Sequence, residues 1–223
     1  VLIVCPRPLV TERKWQWEMR RFDERFEHLD GDSLRFCVSE TDFEGEWPER
    51  YDKAILPFSL INETFLFGAG RYKGLLQLDP APQFDLVIVD EAHHCRNPRS
   101  RLHDAVQLLT LHSKQTLFLT ATPVNLSNEE LWVQLSLLAP DRWPDFMSFQ
   151  NTMRPMRLLN TALDAASQVT PNLMAAIQAL EMLELTPGFT ADPRLRAALD
   201  LCQDPLGWTG ESLHKQRVQL ADL

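Results

Sequence analysis

The chain has 223 residues, 44% of them hydrophobic and 24% charged, which is the composition of a globular protein long enough to bury a sizeable core. Its formal net charge is −9, which argues against strong nucleic-acid affinity of this chain on its own, because dedicated nucleic-acid-binding domains are usually basic. No stretch approaches the roughly 18 consecutive apolar residues of a membrane span, and no secretory signal is visible.

Short apolar runs recur along the first part of the chain at the intervals that alternating strands and helices require. We predict strands at Val1–Cys5, Leu34–Val38, Ala54–Pro57, Leu86–Asp90 and Thr116–Thr120. Apolar residues spaced three and four apart predict helices over Glu12–Leu29, Ser59–Leu78 (interrupted near Gly68), Arg101–His112 and Asn128–Leu138. The predicted fold class is therefore α/β, a parallel sheet with helices on both faces.

The pattern changes after Pro140, where strand-like runs cease and helical stripes separated by prolines begin. We place a boundary within 141–150, between an α/β part at 1–145 and an α-helical appendage at 146–223. The chain opens at Val1 without an initiator methionine, within a predicted strand, so we expect it to be an excised piece of a longer protein. Its four cysteines are scattered without a CxxC pair, which favours reduced thiols.

The most informative motif is Asp90-Glu91-Ala92-His93, directly behind the apolar run Leu86–Val89. Carboxylates at the carboxyl end of a buried parallel strand lie where open α/β sheets hold their ligands. One carboxylate can hold Mg²⁺ against phosphates while the next orients the attacking water. Two alternatives remain open: a pair of solvated loop carboxylates, and a metal-dependent hydrolase built on Asp90, Glu91 and His93.

Two more predicted strands end in distinctive residues. The strand at 116–120 leads into Thr120-Ala121-Thr122-Pro123, whose hydroxyls could relay hydrogen bonds from a phosphate site. The first strand stops at Pro6 and is followed by Leu9-Val10, Trp15 and Glu18. We interpret four of the six tryptophans as packing residues rather than as platforms for stacked bases; they are Trp15, Trp17, Trp132 and Trp143.

In this order and spacing, the three motifs resemble the first RecA-like lobe of superfamily 2 helicases and translocases. More narrowly, the chain is similar to the Swi/Snf-type ATPases of the bacterial HepA-like (RapA-like) branch. The resemblance covers roughly residues 1–145 and implies a truncated RecA-like lobe that carries motifs Ia, Ib, II (a DEAH box) and III.

The resemblance implies roles for the acidic motif and for the motif after it. Asp90 would coordinate Mg²⁺ through water and Glu91 would polarise the hydrolytic water. His93 would link the nucleotide site to Thr120, Ala121 and Thr122, which couple hydrolysis to movement on DNA. ATP and Mg²⁺ are the implied cofactors of the full-length protein.

Motif Ia, at Pro6–Val10, and motif Ib, at Ile55–Leu60, touch the nucleic-acid backbone in the family. The resemblance thus implies nucleic-acid contacts from Pro6, Arg7 and Ser59. A solvated role is an equal alternative for Arg7 and Ser59. The implied partners are double-stranded DNA and a second RecA-like lobe. The implied location is the bacterial cytoplasm, associated with the nucleoid and not with a membrane.

The departures from the family pattern limit what this chain is expected to do. The 223 residues contain no GxxxxGK[ST] phosphate loop and no second lobe, so we expect the fragment itself to be inactive. The resemblance also implies that the strand ending at Thr120 lies between the phosphate-loop strand and the strand bearing Asp90. Without the phosphate-loop strand, we expect Thr116–Thr120 to be an exposed apolar edge. Alternatives are strand separation rather than translocation, and a non-catalytic fragment that binds a protein partner through 146–223.

Overall fold

A computed structural model describes residues 1–121, 127–168 and 170–204 of the chain. The chain divides into two compact units, Val1–Phe146 and Met147–Leu223. The first unit contains a sheet with flanking helices, and the described part of the second is helical. The division after residue 145 as a boundary between domains stays a prediction, because compactness does not establish independent folding.

The first unit alternates strands with helices. Its strands are β1 (Leu2–Cys5), β2 (Glu27–His28), β3 (Ala54–Pro57), β4 (Phe84–Val89) and β5 (Ser113–Phe118). Its α-helices are α1 (Arg7–Thr11), α2 (Lys14–Arg20), α3 (Gly31–Glu44), α4 (Glu63–Phe67), α5 (Arg101–Leu111) and α6 (Asn128–Leu138). Short 3₁₀ helices lie at Glu49–Tyr51, Phe58–Leu60, Leu75–Gln77 and Ala92–Arg96.

The five strands form one parallel sheet in the order β2-β3-β1-β4-β5, which confirms the predicted α/β fold class. Alternate residues of β1 face opposite sides of this sheet. Leu2 and Val4 join the larger core, whereas Ile3 and Cys5 join a smaller one. Residues of α1 and α2 complete that smaller core, so this helix pair covers one face.

The strand predicted at Leu34–Val38 is wrong, because these residues lie inside α3. Asp30 caps the start of this helix. Its carboxylate accepts hydrogen bonds from the amides of Asp32 and Ser33 at 3.1 and 2.8 Å, and its own amide donates to the Ser33 hydroxyl. The buried residues Leu34, Cys37, Val38 and Thr41 have helical spacing. The second strand of the chain is instead β2, which is only two residues long and lies within the segment predicted as helix.

The helix predicted over Glu12–Leu29 is also too long. Helix α2 ends at Arg20, and Asp23 takes a left-handed conformation with φ of 58°. The chain then extends because the Glu27 amide donates to the Lys53 carbonyl, which starts the β2–β3 pairing. The segment predicted as helix over Ser59–Leu78 contains α4 and two 3₁₀ turns, with α4 ending at Phe67 and capped by Gly68.

Strand β5 is an edge strand within the described chain, pairing with β4 alone. The strand that leads to Thr120 therefore lies at an edge of the described sheet. The run Leu117-Phe118-Leu119 is accordingly not buried on both sides. Leu117 is 45% exposed.

The second unit contains α7 (Phe146–Ser167), α8 (Leu173–Glu184) and α9 (Pro193–Gln203). The prediction that prolines separate the helices is wrong at Pro155, since α7 continues through it. Alanines and leucines from the three helices form a separate core, which includes Ala162, Ala176 and Leu180. No helix in the described ranges is long and apolar enough to cross a membrane.

Candidate functional site

The candidate site residues lie at one edge of the sheet. Because the strands are parallel, the carboxyl ends of β3, β1, β4 and β5 follow one another along this edge. Each of these strands is followed by predicted site residues: Ser59 after β3, Pro6 and Arg7 after β1, Asp90 and Glu91 after β4, and Thr120 and Ala121 after β5. Thr122, the third predicted coupling residue, lies outside the described residues.

Asp90 is held on three sides. Its amide donates to the Val4 carbonyl at 2.9 Å, which fixes its backbone against β1. Its Oδ1 accepts the Glu91 amide at 2.9 Å, and its Oδ2 accepts the indole Nε1–H of Trp15 at 2.9 Å. A carboxylate has about four acceptor positions, so two remain for water or for a hydrated cation.

Glu91 has a left-handed backbone, with φ of 52° and ψ of 47°. This conformation costs a non-glycine residue roughly 1–2 kcal/mol. The Glu91 Oε2 is buried and accepts no hydrogen bond from the described residues. The His93 Nδ1 lies 3.2 Å from Oε2. A buried oxygen with spare acceptor capacity beside Asp90 fits a site for water near a hydrated Mg²⁺ ion.

His93 lies between the acidic pair and the segment after β5. It belongs to the 3₁₀ helix Ala92–Arg96, and its Nδ1 is 3.3 Å from the Thr120 Oγ1. The backbone joins the same segments, because Leu119 donates to Val89 and accepts from Ala92, both at 2.9 Å. The structure thus brings together Glu91, His93 and Thr120, three predicted site residues that follow two different strands.

The neighbouring ring belongs to His94, whose centroid is 4.4 Å from that of His93. Partial burial lowers the pKa of His94, and the neighbouring His93 lowers it further. The neutral form of His94 is therefore favoured. Beneath the site, burial raises the pKa of Cys5 to about 12, and the negative charge of Asp90 adds to the shift. Cys5 is therefore a protonated thiol near neutral pH.

The predicted nucleic-acid contacts are accessible. Pro6 precedes α1, Arg7 is the first residue of that helix, and Ser59 lies in the 3₁₀ helix after β3. Arg7 and Ser59 are both exposed. Arg7 follows β1 and Ser59 follows β3. These two strands are neighbours and lie on the side of β4 away from β5.

Sequence reasoning missed one residue of the site. Trp15 does pack, as predicted, against the smaller core with Ile3, Ile55 and Ile88. It also donates the hydrogen bond to Asp90, which lies 75 residues away in the chain. A polar contact between such distant residues has no signature in local spacing, so only the tertiary structure reveals it.

The two alternatives based on the acidic motif receive no support. Asp90 and Glu91 are half-buried and engaged, unlike solvated loop carboxylates. The described residues contain no group of three or more histidine, cysteine or acidic side chains arranged to hold a metal ion. A single carboxylate that binds a hydrated cation needs no such group.

A parallel sheet with an acidic pair at the carboxyl end of an inner strand is an arrangement typical of ligand-binding α/β proteins. A sequence profile described as the SNF2-related domain matches residues 1–180. The chain therefore belongs to the SNF2-related family.

The chain is also similar to individual known proteins. The RNA polymerase-associated protein RapA of Yersinia pestis (strain Pestoides F) and that of Yersinia pseudotuberculosis (serotype O:1b) are each 31% identical over 215 residues. These alignments cover 92% of this chain and 20% of each relative, so the chain spans about a fifth of their length. The solved SWI2/SNF2 ATPase core of Sulfolobus solfataricus in complex with double-stranded DNA aligns at a TM-score of 0.45 and 14% identity. That alignment covers 92% of this chain and 53% of the solved one.

Proposed function

We propose that this chain is part of an ATP-dependent translocase of the Swi/Snf type, which couples ATP hydrolysis to movement on double-stranded DNA. The observation that carries the proposal is the Asp90–Glu91 pair at the end of β4, with His93 Nδ1 3.3 Å from Thr120 Oγ1. Membership of the SNF2-related family supports it.

In the proposed mechanism, Asp90 would hold a hydrated Mg²⁺ ion through water, using the acceptor positions that Trp15 and Glu91 leave open. The chemistry supplied at this position would be neutralisation of charge on the phosphates. Oε2 of Glu91 accepts a hydrogen bond from the attacking water and orients it. His93 contacts both Glu91 and Thr120, so a change at the acidic pair reaches the segment after β5.

The decisive test uses the complete natural protein that contains this chain. ATP turnover is measured with and without double-stranded DNA for the wild type, for Glu91→Gln and for Asp85→Asn. Removing a group that orients the attacking water lowers turnover by roughly 10²–10⁴-fold. Asp85 is the matched control, because it is an exposed acid on the same strand, paired with Lys114 at 2.6 Å. Wild-type turnover in Glu91→Gln contradicts the proposal.

The 223-residue chain on its own is proposed to be inactive. It has no phosphate loop to hold the nucleotide, since the GxxxxGK[ST] pattern is absent from its sequence. In the same assay, this chain gives background turnover with or without DNA. DNA-stimulated turnover by the chain alone would overturn this part of the proposal.

Contact with the DNA backbone is assigned to Arg7 and Ser59. Binding of a duplex to the complete protein is measured at several salt concentrations, comparing Arg7→Ala with Lys114→Ala. Losing one phosphate contact weakens binding to all sequences and lowers the salt slope by about one. Lys114 is an exposed cation at the start of β5, on the opposite edge of the sheet. Equal salt slopes for the two variants would remove Arg7 from the interface.

A protein partner is proposed for the helical unit. This unit exposes large apolar side chains, including Met174 at 67% and Leu185 at 84%, and exposed methionines suit an adaptable protein-binding surface. The relatives are named RNA polymerase-associated, so bacterial RNA polymerase is the partner to test. We expect Leu185→Asp to weaken binding of the complete protein to the polymerase and Leu111→Asp, an exposed site in the other unit, to leave it unchanged. Equal binding by both variants would contradict this assignment.

A further inference from the structure

We propose that Trp15 is a positioning residue for Asp90. In this proposal its indole N–H fixes the carboxylate and ties the acidic pair to the helix pair α1–α2, which carries Arg7. The inference rests on the proposed function for its consequence in catalysis. Its structural content, a carboxylate held by an indole, stands or falls on its own.

The first support is the hydrogen bond itself. Trp15 Nε1 and Asp90 Oδ2 are 2.9 Å apart, which is ordinary for an N–H donor and a carboxylate oxygen. The other carboxylate oxygen, Oδ1, accepts the Glu91 amide. With both oxygens engaged, the carboxylate plane of Asp90 has one orientation. Without Trp15, only the bond to the adjacent residue would restrain it.

The second support is how Trp15 is held. It lies in α2 with its ring against the smaller core, next to Met19 and near the buried Ile3 and Ile55. A large ring packed on a sheet face has little rotational freedom. Its N–H is therefore a fixed donor rather than one that samples many directions.

The third support is the backbone on each side of the contact. Arg13, which precedes α2, has φ of 54°, and Glu91, which follows Asp90, has φ of 52°. Left-handed backbone at a non-glycine residue costs free energy, and such residues concentrate at functional sites. Here one strained residue directly precedes the helix that carries Trp15, and the other directly follows Asp90.

The chemistry suits a positioning role rather than a reactive one. An indole N–H donates but does not accept, and it does not titrate in the range where proteins fold. It cannot take a proton from water or compete with Glu91 as a base. It also leaves acceptor positions on Asp90 for water. The contact also links α1–α2 to Asp90, so a displacement of that helix pair when DNA binds would shift the acid.

The first experiment needs neither nucleotide nor metal. The 223-residue chain is labelled with ¹⁵N at its six tryptophans, and the indole resonances are assigned with Trp15→Phe and Trp17→Phe. Trp17 is the matched control, because it lies on the same helix but is 61% exposed. We expect the Trp15 N–H to exchange with solvent roughly tenfold more slowly than that of Trp17, the ratio that one charge-assisted hydrogen bond supports. Asp90→Ala should shift the Trp15 resonance, whereas Glu91→Gln should not.

A second measurement covers the case in which Asp90→Ala does not fold. The Hα–Hβ couplings of Asp90 report its side-chain rotamer. We expect one rotamer in the wild type and in Trp17→Phe, and averaged couplings in Trp15→Phe. A single Asp90 rotamer in all three proteins, or a Trp15 indole that exchanges as fast as that of Trp17, overturns the inference.

The consequence for catalysis is tested in the complete protein. Loss of a group that orients a metal-binding residue typically costs 10–100-fold in metal affinity or activity. We expect Trp15→Phe to raise the Mg²⁺ concentration for half-maximal turnover by that factor, with partial rescue at high Mg²⁺, and Trp17→Phe to match the wild type. If the wild type does not hydrolyse ATP, the proposed function fails while the spectroscopic result still decides the role of Trp15. If it does and both variants match it, the catalytic consequence of Trp15 fails alone.

Discussion

At the scale of single residues, Glu91 combines a useful side chain with an unfavourable backbone. Its backbone has φ of 52°, and its Oε2 is buried 3.2 Å from the His93 Nδ1. Strain of this kind is retained when the surrounding contacts over-determine the conformation. Here the Ala92 amide donates to Leu119 and the Asp90 amide to Val4, which fixes the chain on both sides.

The strain predicts a difference between two truncations of Glu91. Glu91→Ala and Glu91→Gly both remove the carboxylate, but only glycine adopts a left-handed backbone without cost. We expect Glu91→Gly to have a free energy of unfolding about 1 kcal/mol higher than Glu91→Ala. Denaturant unfolding of the two variants measures this difference. Equal stabilities would mean that position 91 is not strained in solution.

The buried cysteines make the free energy of unfolding decrease as the pH rises into the alkaline range. Burial raises the pKa of Cys5, Cys37 and Cys95 to about 12 each. In the unfolded chain a thiol titrates near 8.5, so above that pH the unfolded state releases protons that the folded state keeps. Their contribution is therefore complete below about pH 8.5 and is lost as the pH rises towards 12.

We expect the free energy of unfolding to fall by about 1.4 kcal/mol per pH unit for each such thiol between pH 9 and 11. Lysines and tyrosines titrate in this range too, so the wild type is compared with Cys37→Ala. The free energy of unfolding of that variant should fall less steeply with pH, by about 1.4 kcal/mol per pH unit. Denaturant unfolding at several pH values measures the slopes. Identical slopes would show that Cys37 is not a buried, protonated thiol.

At the scale of elements, the loop after α4 depends on glycine at one position and not at another. Gly68 has φ of 76° and ψ of −177°, and a Cβ there would lie 2.2 Å from the Tyr72 carbonyl oxygen. Gly70 has φ of 61° and nothing within 4 Å of where a Cβ would be. The two glycines look alike in the sequence Gly68-Ala69-Gly70, and only the fold separates them.

Alanine at the two glycines should therefore have unequal effects. We expect Gly68→Ala to lower the free energy of unfolding by roughly 3 kcal/mol or more, because backbone strain and a backbone clash add. Gly70→Ala should cost about 1 kcal/mol, from its left-handed backbone alone. Thermal or denaturant unfolding distinguishes the two. A loss for Gly70→Ala as large as that for Gly68→Ala would contradict the geometry of this loop.

At the scale of the whole molecule, the edge formed by β5 affects association. An edge strand presents unpaired amides and carbonyls, and here it adds the exposed Leu117. We expect Leu117→Lys to reduce concentration-dependent self-association in sedimentation velocity. Leu111→Lys is the control, since it replaces an exposed leucine on α5 and leaves the strand edge unchanged. Equal association of both variants and the wild type would show that this edge does not pair.

The two units have separate cores. The larger core of the first unit and the core of α7, α8 and α9 share no residue. We therefore expect a chain of residues 1–145 to unfold cooperatively and to keep the slowly exchanging Trp15 indole. Denaturant unfolding and the tryptophan spectrum of this shorter chain provide the measurement. Loss of both would mean that the sheet unit requires the helical one.

Local patterns predicted the parts of the fold that depend on local chemistry. Strand β3 and helix α6 have the predicted bounds, because a buried run and an amphipathic stripe are complete signals within a few residues. The short apolar run Leu34–Val38 fits a helix as well as a strand. The capping residue Asp30 before it favours the helix.

The sequence by itself determined the acidic motif, the strand that presents it and the family to which the chain belongs. These follow from residues adjacent in the chain, whose chemistry does not depend on distant partners. Only the tertiary structure decided that Trp15 donates to Asp90, that His93 lies beside Thr120 and that Glu91 has a left-handed backbone. Each of these requires the packing of parallel strands and helices that brings residues up to 75 positions apart to one edge of the sheet.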